Sequence, residues 1–265
     1  MAQIINTNIM SLNAQRNLNA SQGSLTTALQ RLSSGLRVNS AMDDAAGLAV
    51  AMKMDTQIRG ITVAMRNASD GFSFSQTADT ALAVVADQLQ RMRELATQSM
   101  NGTLGTLERA KIQTEFSQLQ QEMTRIQGSA SMNGLSVFQA GGFTFQAGPN
   151  LADSITATFS SVAAISGSVT DATAAGAAMS AIDNALESVA SSRATIGGVQ
   201  SRLTFTISYL EGARENQTAA KSRIMDADFA AETANLTRAQ ILQQAGVAMV
   251  SQANMIPQNV LGLLR

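Results

Sequence analysis

This 265-residue chain has no cysteine and no histidine, and each absence removes a class of chemistry. Without cysteine there can be no disulfide framework and no thiolate metal site. Without histidine the usual general base near neutral pH is missing, and so is the commonest metal ligand. Charge is scarce as well: 14% of residues are charged, against roughly 25% in ordinary soluble domains. The net charge of −1 supplies no basic face for nucleic acid or for an acidic membrane surface, so neither is an expected partner. Aromatics make up 4%, and proline occurs only twice. No apolar run approaches the roughly 20 residues needed to span a bilayer. The opening Met1-Ala2-Gln3-Ile4-Ile5-Asn6 lacks the basic cluster and apolar core of a cleavable leader.

What remains is abundant Ala, Ser, Asn, Gln and Thr on helical periodicity. The longest pattern starts at Met179 and steps by alternate threes and fours through Ile182, Leu186, Val189, Arg193, Ile196, Gln200, Leu203, Ile207, Leu210, Arg214, Gln217 and Lys221 to Ile224. Nine of those fourteen positions are apolar, on the 3.5-residue spacing that lays one helix along another. Helical throughout, the stretch would extend roughly 70 Å. A stripe that long cannot be buried alone, so the chain must supply partner helices.

Residues 1–40 carry three charges, all arginine, and the apolar positions Leu25, Leu29, Leu32 and Leu36 keep helical spacing. Asn and Ser lower the helix propensity there, so the segment would be marginal alone in water. Gly35 stops this helix, and Ser40-Ala41-Met42-Asp43 offers a capping box for the next. The spacing of Ala51, Met54, Ile58, Ile61, Met65, Ala68 and Phe72 predicts one long helix over about 41–100, through Gly60 and Gly71. Asp55 with Arg59, and Asp87 with Arg91, stand as acid-before-base pairs four apart. After a turn at Asn101-Gly102, a shorter helix carries Ile112, Phe116, Leu119, Met123 and Ile126 on one face and ends at Met132-Asn133-Gly134.

The period then changes to two. Leu135 and Val137, a Gly141-Gly142 turn, and Phe143 and Phe145 predict a β-hairpin, and Ile155, Ala157 and Phe159 suggest a further strand. Residues 160–176 lack a pattern and read as an outward loop. The last helix is expected over about 229–255, with Asp226 and Asp228 at its start and Pro257 as its stop. Its residues Ile241, Leu242, Ala245 and Met249, with the N-terminal Leu25, Leu29, Leu32 and Leu36, are the candidate seam toward other copies of the chain.

No constellation supports catalysis. Asp43-Asp44 and Asp226 with Asp228 sit where helices begin and read as caps rather than metal ligands. No glycine cluster matches a phosphate loop, and the methionines lie at core spacing. Asn67-Ala68-Ser69 matches a glycosylation acceptor only as a chance-length triplet. The chain is read as a non-enzyme with no cofactor.

The ends resemble a known family. Met1-Ala2-Gln3-Ile4-Ile5-Asn6-Thr7-Asn8, the run Leu32-Ser33-Ser34-Gly35-Leu36-Arg37-Val38-Asn39-Ser40, Asp43-Asp44-Ala45-Ala46-Gly47 and Arg91-Met92-Arg93-Glu94-Leu95-Ala96 are similar to the N-terminal region of bacterial flagellin. Arg238-Ala239-Gln240-Ile241-Leu242-Gln243-Gln244-Ala245-Gly246 and Pro257-Gln258-Asn259-Val260-Leu261-Gly262-Leu263-Leu264-Arg265 resemble its C-terminus. The resemblance covers about 1–145 and 178–265 and departs in the middle, where many flagellins carry large outer domains.

The resemblance implies a mainly α fold: a long helical coiled-coil bundle built from the N- and C-terminal segments, with a small β-hairpin region between them. Residues 1–40 with 226–265 would form the terminal coiled coil. Residues 41–159 with 177–225 would form the helical bundle with its hairpin, and 160–176 the short variable loop. It further implies a subunit that is exported unfolded through the flagellar channel and polymerises with copies of itself into the swimming filament. The implied partners are an export chaperone, the flagellar cap and hook–filament junction proteins, and the host Toll-like receptor that senses flagellin. The positions matching that receptor's surface are Arg91, Leu95 and Glu115. A hook–filament junction protein of the same superfamily is the alternative. A cytoplasmic helical scaffold would explain the heptads but not the weakly charged ends.

Overall fold

The structure, a computed structural model, describes residues 7–139 and 141–262. Helices α1 (Ile9–Ser34), α2 (Ala45–Ser99), α3 (Thr106–Ser129), α4 (Ala172–Met225) and α5 (Phe229–Gly262) carry the architecture. Between α3 and α4 lie two short antiparallel pairs, β1 (Ser131–Met132) with β2 (Leu135–Ser136), and β3 (Phe143–Gln146) with β4 (Ser154–Ala157). Contacts divide the chain into a unit of residues 57–215 and a second unit formed by the two ends, up to 56 and from 216.

The core of the 57–215 unit is a set of heptad stripes. On α2, Ile61, Ala64, Ala68, Ser75, Ala78, Leu82, Val85, Leu89, Met92, Ala96 and Ser99 are all buried, and buried Gly71 completes the alternation of threes and fours. On α4 the buried set is Ala175, Ala178, Ile182, Ala185, Val189, Ile196, Val199, Leu203 and Leu210. Every seventh residue from Ile182 agrees with the stripe expected from sequence. The interleaved positions are shifted by one: Ala178 and Ala185 are buried where Met179 and Leu186 were expected, and these larger side chains flank the core, partly covered. Alanines on both helices let the backbones approach closely, and the bulky neighbours then fill the edges of the seam.

Two glycines that weaken α2 on propensity alone have a packing reason. A Cβ on Gly71 would come within 2.9 Å of the Phe145 ring, and one on Gly60 within 3.0 Å of Pro149. Phe145 belongs to an aromatic cluster in which the Phe74 ring lies 4.4 Å from Phe143 and 5.9 Å from Phe159. The β layer therefore packs its rings directly onto the backbone of α2.

The strands differ from the expected hairpin. Asn133 and Gly134, both at positive φ (53° and 78°), make the two-residue turn between β1 and β2. Gly141-Gly142 does not join paired strands: β3 pairs with β4 instead, in the register Phe143 with Ala157 and Phe145 with Ile155. The Asn-Gly dipeptide, read from sequence only as the end of α3, was the stronger turn signal.

The segment expected as an outward loop over 160–176 is also different. Residues 172–176 are the first turn of α4, and the preceding stretch lies on the core with Phe159, Val162, Ile165 and Val169 buried. Its backbone joins no sheet, so side chains satisfy it. Gln127 Oε1 accepts from the Val162 N–H at 2.9 Å, and Gln113 Oε1 from the Val169 N–H at 2.6 Å. Gln120 Nε2 donates to the carbonyls of Ile165 and Gly167 at 2.8 and 3.0 Å. These glutamines recur every seven residues on α3, so one face of that helix holds the strap in place.

In the unit formed by the ends, the connectors beside α1 and α5 pair with each other. Leu36 bridges Asp226, the Arg37 N–H donates to the Met225 carbonyl at 2.6 Å, and the Ala227 N–H donates to the Gly35 carbonyl at 3.0 Å. Gly35 takes the left-handed conformation (φ 72°) that ends α1. The box expected at Ser40 forms only in part. Asp43 accepts from the Ser40 N–H and hydroxyl in a turn, while Asp44, accepting from the Gly47 N–H at 2.8 Å, caps α2. At the other end, α5 does not stop near residue 255 but continues through Pro257 to Gly262.

Substitution at two helical glycines gives opposite results. Gly71→Ala lowers the melting temperature of the full chain, because the clash with Phe145 costs about 1–3 kcal/mol and exceeds the propensity gain of about 1 kcal/mol. Gly197→Ala raises it, because nothing lies within 4 Å of the added methyl. Thermal melting followed by circular dichroism measures both, and equal shifts would contradict the close approach of Phe145.

Candidate assembly interface

Helices α1 and α5 lie antiparallel, and their contact is a narrow heptad seam. On α1 it follows Ser11, Ala14, Leu18, Ser21, Leu25, Ala28 and Leu32; on α5 it follows Glu232, Leu236, Ala239, Gln243, Gly246, Val250 and Ala253. A Cβ on Gly246 would stand 3.0 Å from Leu18 Cδ1, so glycine is what admits the leucine. Of the residues named from sequence as the seam toward other copies, Leu25 and Leu32 are instead taken up by this contact within the chain, and Leu36 lies just beyond α1, half-buried. Leu29 points away at 50% exposure. Ile241 (60%), Leu242 (50%) and Met249 (62%) are exposed, as is Ala245, so none of the four α5 residues packs against α1. The sequence pattern on α5 is dominated by Ile241, Leu242 and Met249, whereas the seam inside the chain takes the neighbouring stripe, in which Ala239, Gly246 and Ala253 alternate with Leu236, Gln243 and Val250.

The result is a helix pair with apolar residues on its outer faces. Ile9, Met10, Leu12 and Leu29 on α1 join Ile241, Leu242, Val247, Met249 and Met255 on α5 as large exposed hydrophobics. Such a concentration marks a surface that another molecule covers.

One ion pair crosses the seam near the connectors. Arg31 Nη1 donates to Glu232 Oε1 at 2.8 Å, and Asn235 Nδ2 donates to the other Glu232 oxygen at 3.2 Å. The Arg31 hydrogen bond is the main cause holding the Glu232 carboxyl below its ordinary value, against the opposing effect of burial. Of the remaining acids singled out from sequence, Asp44 and Asp228 act at helix starts, whereas Asp43 holds a turn and Asp226, read as a cap, closes the end of α4. Asp228 Oδ1 accepts from the N–H groups of Ala230 and Ala231, and Asp226 Oδ2 accepts from the Ser222 hydroxyl. The hydroxyl and N–H of Ser40 lower the Asp43 carboxyl in the same manner. Among the described residues no group of three or more potential metal ligands converges, and no helix is long and apolar enough to cross a membrane.

In the 57–215 unit the structure brings together two of the three candidate receptor contacts. Arg91 donates through Nε and Nη2 to Glu115 Oε1 at 3.0 and 2.8 Å, and through Nη1 to Glu94 Oε2 at 2.9 Å. These acceptors, rather than the expected Asp87, hold the half-exposed guanidinium and raise its pKa further, Glu94 contributing most. Leu95 is in the core at 2% exposure, so its side chain presents nothing to a partner in this conformation. Its place is with the bundle core rather than with the exposed Arg91 and Glu115.

Family comparison decides what this arrangement belongs to. Residues 5–142 match the bacterial flagellin N-terminal helical region, and residues 179–264 match the bacterial flagellin C-terminal helical region. The chain belongs to the bacterial flagellin family. It is similar to a flagellin of Halalkalibacterium halodurans, 44% identical across 99% of this chain and all of the relative. It is also similar to the flagellar filament 33 kDa core protein of Treponema phagedenis, at 39% identity across 99% of this chain and all of the relative. A Bacillus subtilis flagellin is 36% identical across 98% and 99% of the two chains. Among solved structures, a Bacillus cereus flagellin superposes with a TM-score of 0.51 at 26% identity, covering 55% of this chain and 88% of that one. Flagellins are structural proteins, not enzymes.

The lowered Glu232 carboxyl sets a pH dependence. A depressed folded-state value contributes stability that is complete above the ordinary glutamate value of 4.5 and is lost as pH falls through the lowered one. The α1–α5 pair therefore loosens in acid, and Glu232→Gln flattens that acid limb while lowering stability near neutrality. Hydrogen exchange along α1 and α5 as a function of pH measures both effects; an unchanged acid limb in the variant would assign the loosening to other groups.

Proposed function

We infer that this flagellin is a structural subunit of the flagellar filament, an extracellular appendage, and that it polymerises with copies of itself through the outer faces of α1 and α5. The observation that carries this reading is the apolar surface those helices leave uncovered while their mutual seam is already filled. Ordering a residue's backbone costs roughly 1–2 kcal/mol, and one narrow seam of small side chains returns little of that for two whole helices. Neighbouring subunits that cover Ile241, Leu242 and Met249 supply the remaining burial, so that ordering of the ends is coupled to assembly.

The finer picture follows from the family. The subunit leaves the cell unfolded through the flagellar export channel, a route suited to a chain that has no disulfide to form or break. An export chaperone covers the C-terminal apolar face beforehand, and cap and junction proteins meet the subunits at the two ends of the filament. A role as the hook–filament junction protein itself is the less favoured alternative, since full-length relatives are named as flagellins and filament core proteins.

Ile241→Asp tests the assembly surface. The side chain is exposed, so the 57–215 unit melts unchanged, whereas the critical concentration for seeded polymerisation rises at least about tenfold, the penalty of burying an uncompensated charge. Electron microscopy then shows long filaments for the unsubstituted chain and few for the variant. Polymerisation at the original concentration would place the interface elsewhere, and short rings in place of filaments would favour the junction protein.

Host recognition is the second partner reading. The exposed Arg91 with Glu115 offers a charged anchor to the flagellin-sensing Toll-like receptor, with Leu95 acting only through the core in which it is buried. Arg91→Ala keeps the helix and removes the anchor. A reporter-cell assay with purified monomer is expected to show at least about a tenfold loss of potency, and undiminished signalling would remove these residues from the contact.

A further inference from the structure

We propose that Asn8 is a positioning residue whose side-chain amide replaces the helical hydrogen bond that Pro257 cannot make, and thereby fixes the register of α1 against α5. In an α-helix the N–H of each residue bonds the carbonyl four residues earlier, and proline has no N–H to give. The carbonyl orphaned by Pro257 is that of Ala253, a buried residue at the end of the seam. Helix α5 nevertheless continues to Gly262. The donor comes from the other end of the chain, where Asn8 Nδ2 lies 2.8 Å from the Ala253 carbonyl oxygen.

The same amide is engaged at its other end. Asn8 is the N-cap of α1, and its Oδ1 accepts from the Ser11 N–H at 3.1 Å. A primary amide has a donor end and an acceptor end, and this site needs one of each, in one orientation. Reversing the amide would set its oxygen against the Ala253 carbonyl and its NH2 against the Ser11 N–H. Aspartate would cap α1 equally well but would place a carboxylate against the carbonyl. One turn further on, the Ser11 hydroxyl donates to Asn254 Oδ1 at 2.7 Å, a neighbouring cross-link that makes no use of the Ala253 carbonyl. The proline thus creates a single unfilled acceptor along α5, and α1 can fill it only when Asn8 stands opposite residue 253. Together with the Leu18 side chain on Gly246 and the Arg31–Glu232 pair, this match specifies the alignment.

The readout rests on the filament reading, and the variants separate the two ideas. In the full-length chain, Asn8→Asp raises the critical concentration for polymerisation about tenfold, as loss of a part-buried hydrogen bond with an unsatisfied acceptor implies. Adding Pro257→Ala restores the helical N–H to the Ala253 carbonyl and returns assembly to within about twofold of the original. Ser11→Ala weakens assembly too, but Pro257→Ala does not rescue it, because its lost partner is Asn254. Equal rescue of both variants, or no effect of Asn8→Asp, overturns the proposal. Failure of the unsubstituted chain to polymerise would instead refute the filament reading. The clamp is then read from far-ultraviolet ellipticity of the monomer, which Asn8→Asp lowers and Pro257→Ala restores; independent, additive changes there would overturn it as well.

Discussion

Close backbone approach along small-residue heptad seams is the constraint on which the rest of this structure depends. Ala64, Ala68, Ala78 and Ala96 on α2, Ala175, Ala178 and Ala185 on α4, and Ser11, Ala14, Ala28, Ala239 and Gly246 on the terminal pair occupy positions where a larger side chain would hold the helices apart. Dispersion contacts between near backbones are individually weak, but they repeat over helices of 26 to 55 residues. A chain with few aromatics and little charge is suited to this mode of cohesion.

Small seams have a consequence for the larger apolar residues. Those that do not fit between two helices are displaced to the flanks, where Met179 and Leu186 cover the edges of the 57–215 core. On α1 and α5 the same displacement leaves Leu29, Ile241, Leu242 and Met249 facing outward. In the proposed assembly, cohesion within the chain and adhesion between chains use different faces of the same helices.

Polar side chains provide the specificity that such seams lack. The glutamines at 113, 120 and 127 hold a strap that has no sheet to join, and Arg31 with Glu232 ties the terminal helices beside their connectors. Asn8 bonds across the far end of the same pair. Each satisfies a group that would otherwise be stranded in a mainly apolar contact.

The sequence alone determined that this chain is a set of long helices, because a 3.5-residue apolar rhythm sustained from Met179 to Ile224 admits no other regular structure. Its end motifs also carried the family, and its lack of histidine and cysteine excluded the commonest catalytic sites. Only the tertiary structure decided which of two adjacent residues, such as Ala178 or Met179, enters the seam, since that depends on how near the partner backbone lies. It decided likewise that Leu95 is buried, that Phe145 requires Gly71, and that Val162, Ile165 and Val169 anchor residues 160–171 to the core. It also extended α5 past Pro257. A local pattern shows that a proline leaves a carbonyl without its helical partner, but the asparagine that answers it lies 245 residues away in the chain. Periodicity is a property of neighbours in sequence, whereas close approach is a property of neighbours in space.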